Sequence, residues 1–235
     1  MAKVLFLSHD ELAALLAAAQ ASGSADYTLL LTIYLLALRA SEAVGLKMSD
    51  YDGGSARIMV GVLKRFHRKR QKDGSFVPAE LPPPLRVRCE VPAELCEALD
   101  SHVASRRSAG AGRSDPIFAW GDGSMTRWTV LGAYHRAARA PSKPVARVRH
   151  PHVLRHTRAM HQIENMRRRA LDEGKAVTPL EMMKQLKELL RHASDSTCLQ
   201  YIHATEESAE LSRKATSDLA SGVVARVNAL RKAGR

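Results

Sequence analysis

Two rhythms of apolar positions run along the 235 residues, one close to the 3.6 of a helix and one of 2, as in a half-buried strand. Ser8-His9-Asp10-Glu11 opens the first helical stretch: Ser8 and Glu11 have capping-box spacing, and a Leu/Ala-rich run to about Ala19 follows. Ala21 to Ala25 is small and polar and reads as a turn. Asp26 then caps a second helix, apolar nearly all round and therefore central, which the pattern carries through Val44 to a stop at Gly45. Ala56 to Leu63 alternates, with Ile58, Val60 and Val62 on one face. Leu85 to Val91 alternates too, with Leu85, Val87, Cys89 and Val91 opposite Arg86, Arg88 and Glu90. These two strands suggest an antiparallel hairpin with a long polar connection. Leu95, Leu99 and Val103 mark a helix from Pro92 to about Arg107, and Ser105 to Ser114 reads as a loop. Pro116 to Trp120 is extended, Gly121 to Gly123 turns, and Ser124 caps a helix from Met125 to about Ala140. Pro141 to Pro144 interrupts the chain. A helix starting at His152 ends at Glu173-Gly174. Thr178, Pro179 and Glu181 start another that runs to about Leu190. Thr197 to about His203 and an amphipathic stretch from Glu207 to Leu230 complete a mainly helical pattern with no repeat and no internal boundary, so a single domain over 1–235 is expected.

Composition narrows the class. An apolar content of 45% indicates a folded chain, and a net charge of +12 favours a polyanionic partner, with nucleic acid ahead of an anionic membrane surface. Aromatics make up only 5%, which favours contacts to a phosphate backbone over base stacking. Cys89, Cys96 and Cys198 form no C-x-x-C pair and suggest reduced thiols in a cytosol. The longest apolar run, Tyr27 to Leu38, is too short to span a bilayer.

Arg149 to His161, R-H-P-H-V-L-R-H-T-R-A-M-H, concentrates histidine and arginine without an acidic residue. His152 and Arg155 are three apart and face the same way on a helix. With Pro151 just before, His152 sits at the helix start, where backbone N–H groups point outward. An arginine, an imidazole and a helix N-terminus converging on one point make an anion site, most naturally for phosphate. Arg39 and Glu42 are the only charged residues between Asp26 and Lys47; they must pair or line a cleft. Lys64 to Lys72 carries Lys64, Arg65, Arg68, Lys69, Arg70 and Lys72 with no anion, a solvated loop or an arm along a phosphate backbone.

R-A-S-E at Arg39 to Glu42, H-V-L-R-H-T at His152 to Thr157, L-L-R-H-A-S at Leu189 to Ser194 and Tyr201, nine residues after His192, together resemble the tyrosine recombinase (phage integrase) family. The resemblance runs from about Phe6 to His203. F-L-S-H-D-E-L, L-R-A-S-E, H-P-H-V-L-R-H-T and the lack of an upstream core-binding domain look most like the small single-domain recombinases that invert fimbrial promoter segments. It implies an α+β catalytic domain, mainly helical with a small antiparallel three-stranded sheet, in which residues 204–235 pack on a neighbouring protomer. It also implies a site-specific recombinase that cleaves and rejoins DNA through a 3′-phosphotyrosine link. Arg39, His152, Arg155 and His192 would surround the phosphate and Tyr201 would attack it. Lys64, with Lys69 and Lys72 as alternatives, would protonate the leaving 5′-oxygen. Glu42 would orient Arg39 or a neighbouring group, and His156 and Thr157 would support the helix. Arg65, Arg68, Lys69, Arg70, Lys72, Arg149 and Arg158 would contact DNA.

The covalent link retains the phosphodiester's energy, so neither metal, cofactor nor ATP is expected. The expected partners are double-stranded DNA and further copies of the chain, four protomers on two sites; no small-molecule substrate and no membrane is expected. The expected location is the cytoplasm, with the nucleoid. A type IB topoisomerase would share the nucleophile, and an accessory DNA-binding protein would share the fold without needing these five side chains together. Two departures stand out: Arg191 occupies a position where the family usually has Gly, so it could shift His192 or add a phosphate contact, and the segment from Arg155 to His192 is longer than usual, through Arg167 to Val177.

Overall fold

Capping chemistry written in the sequence fixes several helix starts. In the computed structural model, which describes residues 5–62, 68–70, 76–78, 85–120, 123–139, 150–191 and 194–206 (backbone only at 68–70, 76–78 and 124), α1 spans His9–Ser22. Ser8 Oγ accepts from Glu11 N–H and Glu11 Oε2 accepts from Ser8 N–H, the reciprocal box expected from the spacing. α7, Pro179–Leu190, has the same box between Thr178 and Glu181. Ser194 Oγ accepts from Thr197 N–H at the start of α8, residues 195–206. α5, Arg127–Arg139, is capped by Thr126 rather than by Ser124: Thr126 Oγ1 accepts from Trp128 N–H at 3.2 Å, while Ser124 pairs with Ala119 in a two-residue ladder between β6, Ala119–Trp120, and β7, Gly123–Ser124.

The chain divides into two compact units. The larger comprises Leu5–Ala159 and Glu188–Arg191. Its sheet is three-stranded and antiparallel, in the order β1-β2-β5, with β1 Tyr51–Asp52, β2 Arg57–Val62 and β5 Leu85–Glu90. Ile58, Val60 and Val62 are buried, as the alternation requires. Within the cationic connection, β3 (Arg68–Arg70) pairs with β4 (Phe76–Pro78), so the segment contains a ribbon that its polar sequence did not announce. The core gathers Leu12, Leu15, Leu29, Leu30 and Ile33 from the first two helices, Leu95, Leu99 and Val103 from α4 (Ala93–Ser108), Tyr134 from α5, and Val153 and Leu154 from the start of α6 (His152–Asp172). Thr157, also on α6, is buried and accepts from Leu7 N–H at 3.0 Å.

The smaller unit contains α6 from Met160 onward, α7 up to Lys187, and α8. Gly174, at φ 65°, closes α6: Lys175 N–H reaches Ala170 O and Gly174 N–H reaches Leu171 O. Among the described residues, no helix is long and apolar enough to cross a membrane. The Pro141–Pro144 break and the stretch from Glu207 to Leu230 lie outside the described residues.

Candidate active site

The expected helix from Asp26 to Val44 is two helices. α2 covers Ser24–Leu35 and α3 covers Ala40–Val44. Asp26 is not the cap; it lies in the first turn of α2, where its carboxylate accepts from Nε and Nη2 of Arg136 at 2.8 to 2.9 Å. The break is at Ala37, which adopts φ 47° although it is not glycine. Ala37 N–H bonds Tyr34 O and Leu38 N–H bonds Ile33 O, the paired bonds that close a helix through a left-handed residue.

A helix end leaves its last carbonyls without intrahelical partners, and its dipole puts negative potential there. Three arginines answer both. Arg158 Nε donates to Leu35 O at 3.3 Å. Arg191 Nη1 donates to Leu36 O at 2.8 Å and its Nη2 to Ala37 O at 2.9 Å. Arg155 Nη1 also donates to Ala37 O, and its Nη2 donates to Leu190 O at 2.7 Å. These long-range bonds compensate for an alanine in a region disfavoured for L-residues, and nothing in the local apolar run could have revealed them.

Glu42, only 2% exposed, is the centre of the charge network. Its Oε2 accepts from Arg39 N–H at 2.9 Å and its Oε1 from Arg39 Nη1 at 2.7 Å. Arg191 Nη2 lies 3.4 Å and Arg155 Nη1 3.8 Å from Oε2. Among the described residues, one carboxylate faces three guanidiniums, so the cluster carries more positive than negative charge. The side chains of Arg155 and Arg191 are each 4% exposed, whereas that of Arg39 is 36% exposed and brings this charge to the surface. The arrangement suits an anion.

His152, in the first turn of α6, is half-buried and donates its N–H to His150 Nδ1 at 3.2 Å. Its ring meets that of His156 edge-on at 4.5 Å. Burial, then the charges of His156, Arg155, Arg39 and His150, pull its pKa down to about 4, so the imidazole is neutral at pH 7 and able to take a proton. His156 is lowered as well, by burial and by Arg155.

The larger unit thus unites Arg39, Glu42, His152, Arg155 and His156. Tyr201 belongs to the smaller unit, on α8, and is 3% exposed. Lys64, Arg65, Lys72, Arg149 and His192 lie outside the described residues; Arg68, Lys69 and Arg70 are described only as backbone in β3. Arg191 differs from expectation. At φ 49° it occupies the left-handed position that suits Gly, and its guanidinium turns inward to the carbonyls of Leu36 and Ala37 and to Glu42.

The model of the phage integrase family matches residues 5–171. The chain belongs to the phage integrase family. The matched span holds Arg39, Glu42, His152 and Arg155; Arg191, His192 and Tyr201 follow it. Among solved structures, the fold is similar to that of XerA recombinase at 22% identity and TM-score 0.59, covering 89% of this chain and 65% of that one. It is similar to the Tn1549 transposon integrase in complex with circular intermediate DNA at 18% identity and TM-score 0.60, covering 86% and 62%. A lambda integrase dimer bound to a COC′ core site matches at 19% identity and TM-score 0.53, covering 86% and 48%. The chain therefore spans less than two thirds of the length of each of these integrases and recombinases. No protein of curated function is matched by the sequence.

Proposed function

We propose that this phage integrase family chain is a tyrosine-type site-specific recombinase that breaks and rejoins double-stranded DNA. The observation that carries the reading is the surplus of positive charge at the α2 break, gathered by Glu42 and opening to solvent through Arg39, beside a neutral imidazole. A phosphodiester under attack gathers charge on its non-bridging oxygens, and fixed cations stabilise that charge with little reorganisation. Arg39 and Arg155 supply this field, and His152, with His192, adds hydrogen bonds. Tyr201 Oη attacks phosphorus as its proton passes to a base, for which neutral His152 is suited. The 3′-phosphate becomes bonded to tyrosine and the 5′-oxygen leaves, protonated by Lys64 or by Lys69 or Lys72. Attack by a 5′-hydroxyl reverses the step and frees the tyrosine. Four protomers on two DNA sites perform the exchange, with 204–235 of each chain packed on a neighbour and the cationic 64–72 segment along the backbone. The site of action is the nucleoid, in the cytoplasm.

The test uses a nicked recombination site recovered from DNA trapped on the protein. Tyr201→Phe should abolish covalent protein–DNA adducts while leaving DNA binding intact. Adducts that persist in this variant would reject the nucleophile.

A further inference from the structure

We infer that Arg191 is a positioning residue: its planar guanidinium locks the α2 break and Glu42 into the arrangement that aims Arg39 and Arg155. The inference rests on the reading of those two arginines as phosphate donors. It goes beyond that reading because the residue responsible stands where the family's pattern has glycine.

The backbone at Arg191 has φ 49°, which glycine adopts freely and a side chain resists by roughly 1–2 kcal/mol. The chain tolerates this conformation and places a long cation inside. Nη1 bonds Leu36 O and Leu189 O, at 2.8 and 3.2 Å; Nη2 bonds Ala37 O at 2.9 Å and approaches Glu42 Oε2 at 3.4 Å. One planar group thereby ties the end of α7 to the end of α2. Ala37 O is an acceptor it shares with Arg155, and both guanidiniums face Glu42 Oε2, Arg155 as an ion pair at 3.8 Å. Glu42 in turn holds Arg39 through both carboxylate oxygens. Any shift of the Arg191 guanidinium is therefore passed to Arg155 through a common carbonyl and to Arg39 through a common carboxylate.

The guanidinium lies deep. Its Nε is buried with no acceptor among the described residues, and Cys89 lies near enough for the Arg191 charge to lower a thiol pKa that burial raises. Lysine offers a point charge and cannot span two carbonyls and a carboxylate in one plane. Glycine keeps the backbone angle and removes only the clamp.

The experiment follows His152 by NMR, with its ring signals assigned by their loss in His152→Gln. Burial first, and then the charges of His156, Arg155, Arg39 and His150, hold its pKa down, so its titration reports whether the site stays closed with the two arginines in place. Wild type should titrate near pH 4. Arg191→Gly should move the midpoint towards the ordinary imidazole value of about 6.5, and Arg191→Lys should not restore it. On nicked DNA, both variants should form adducts on the order of 10- to 100-fold more slowly, with binding unchanged. An unmoved His152 midpoint in Arg191→Gly, or full recovery in Arg191→Lys, overturns the proposal. If Arg191→Gly folds incompletely, Arg191→Lys alone decides: a moved midpoint supports the clamp and an unmoved one overturns it. The titration needs no DNA, so a wild type that forms no adducts while Arg191→Gly shifts His152 would refute the recombinase reading and leave the clamp standing.

Discussion

Replacing Glu42 by glutamine removes one negative charge from a site that water does not reach. The side chain has 0% exposure and serves Arg39 twice, Arg191 at 3.4 Å and Arg155 at 3.8 Å. The amide retains one acceptor oxygen but turns an NH2 towards a guanidinium. Two buried cations, Arg155 and Arg191, and the partly exposed Arg39 are left facing one another. Breaking a buried ion pair from one side costs about 3–5 kcal/mol, because the remaining charge is stranded. A chain of this size loses roughly 2–4 °C in Tm per kcal/mol, so Glu42→Gln should melt about 6–20 °C lower. Both tryptophans, Trp120 and Trp128, lie in the larger unit with Glu42, each with an arginine over its ring. Tryptophan fluorescence therefore reports the unit in question, and helical circular dichroism reports both units. A loss below about 2 °C in the fluorescence transition would show that the carboxylate does not balance the three guanidiniums, and the electrostatic account of the site would fall with it.

Ala37→Val should cost more than about 2 kcal/mol, since a β-branched side chain at φ 47° is strongly strained; urea unfolding with an unchanged midpoint would refute the left-handed break. His152 has a folded pKa of about 4, below its ordinary value, so the unfolded chain binds more protons between these limits. Its contribution to stability is whole above pH 6.5 and is lost as pH falls towards 4; His152→Gln should flatten that part of the stability–pH curve, and an identical slope in both proteins would contradict the depressed pKa.

Local chemistry was readable where the structure depends on neighbours in sequence. Ser8 with Glu11 and Thr178 with Glu181 announced their helices, and the alternation through Ile58, Val60 and Val62 announced β2. The charged pair Arg39–Glu42 and the turn His152–Arg155 stand out in the sequence because their spacing already places them together, and the structure gathers them in the larger unit. The break at Ala37 was hidden because Leu29 to Leu38 contains neither Gly nor Pro, and the bonds that stabilise it come from residues more than a hundred positions away. Arg191 was noticed as a departure, but its direction could not be read: whether a buried cation faces a ligand or a carbonyl is decided by tertiary contacts. Ser124 and Thr126 are both plausible caps by type, and the β6–β7 ladder decided between them.

The α2 terminus has a consequence for how the polypeptide acquires its shape during synthesis. Among the described residues, the carbonyls left bare at Leu35, Leu36 and Ala37 are completed by side chains at 155, 158 and 191. A nascent chain emerging from the ribosome up to residue 139 lacks all three, so its apolar segment is free to continue as one straight rod past Ala37. Bending that rod into its final form, and with it the presentation of Arg39, must await synthesis of the segment from 155 to 191.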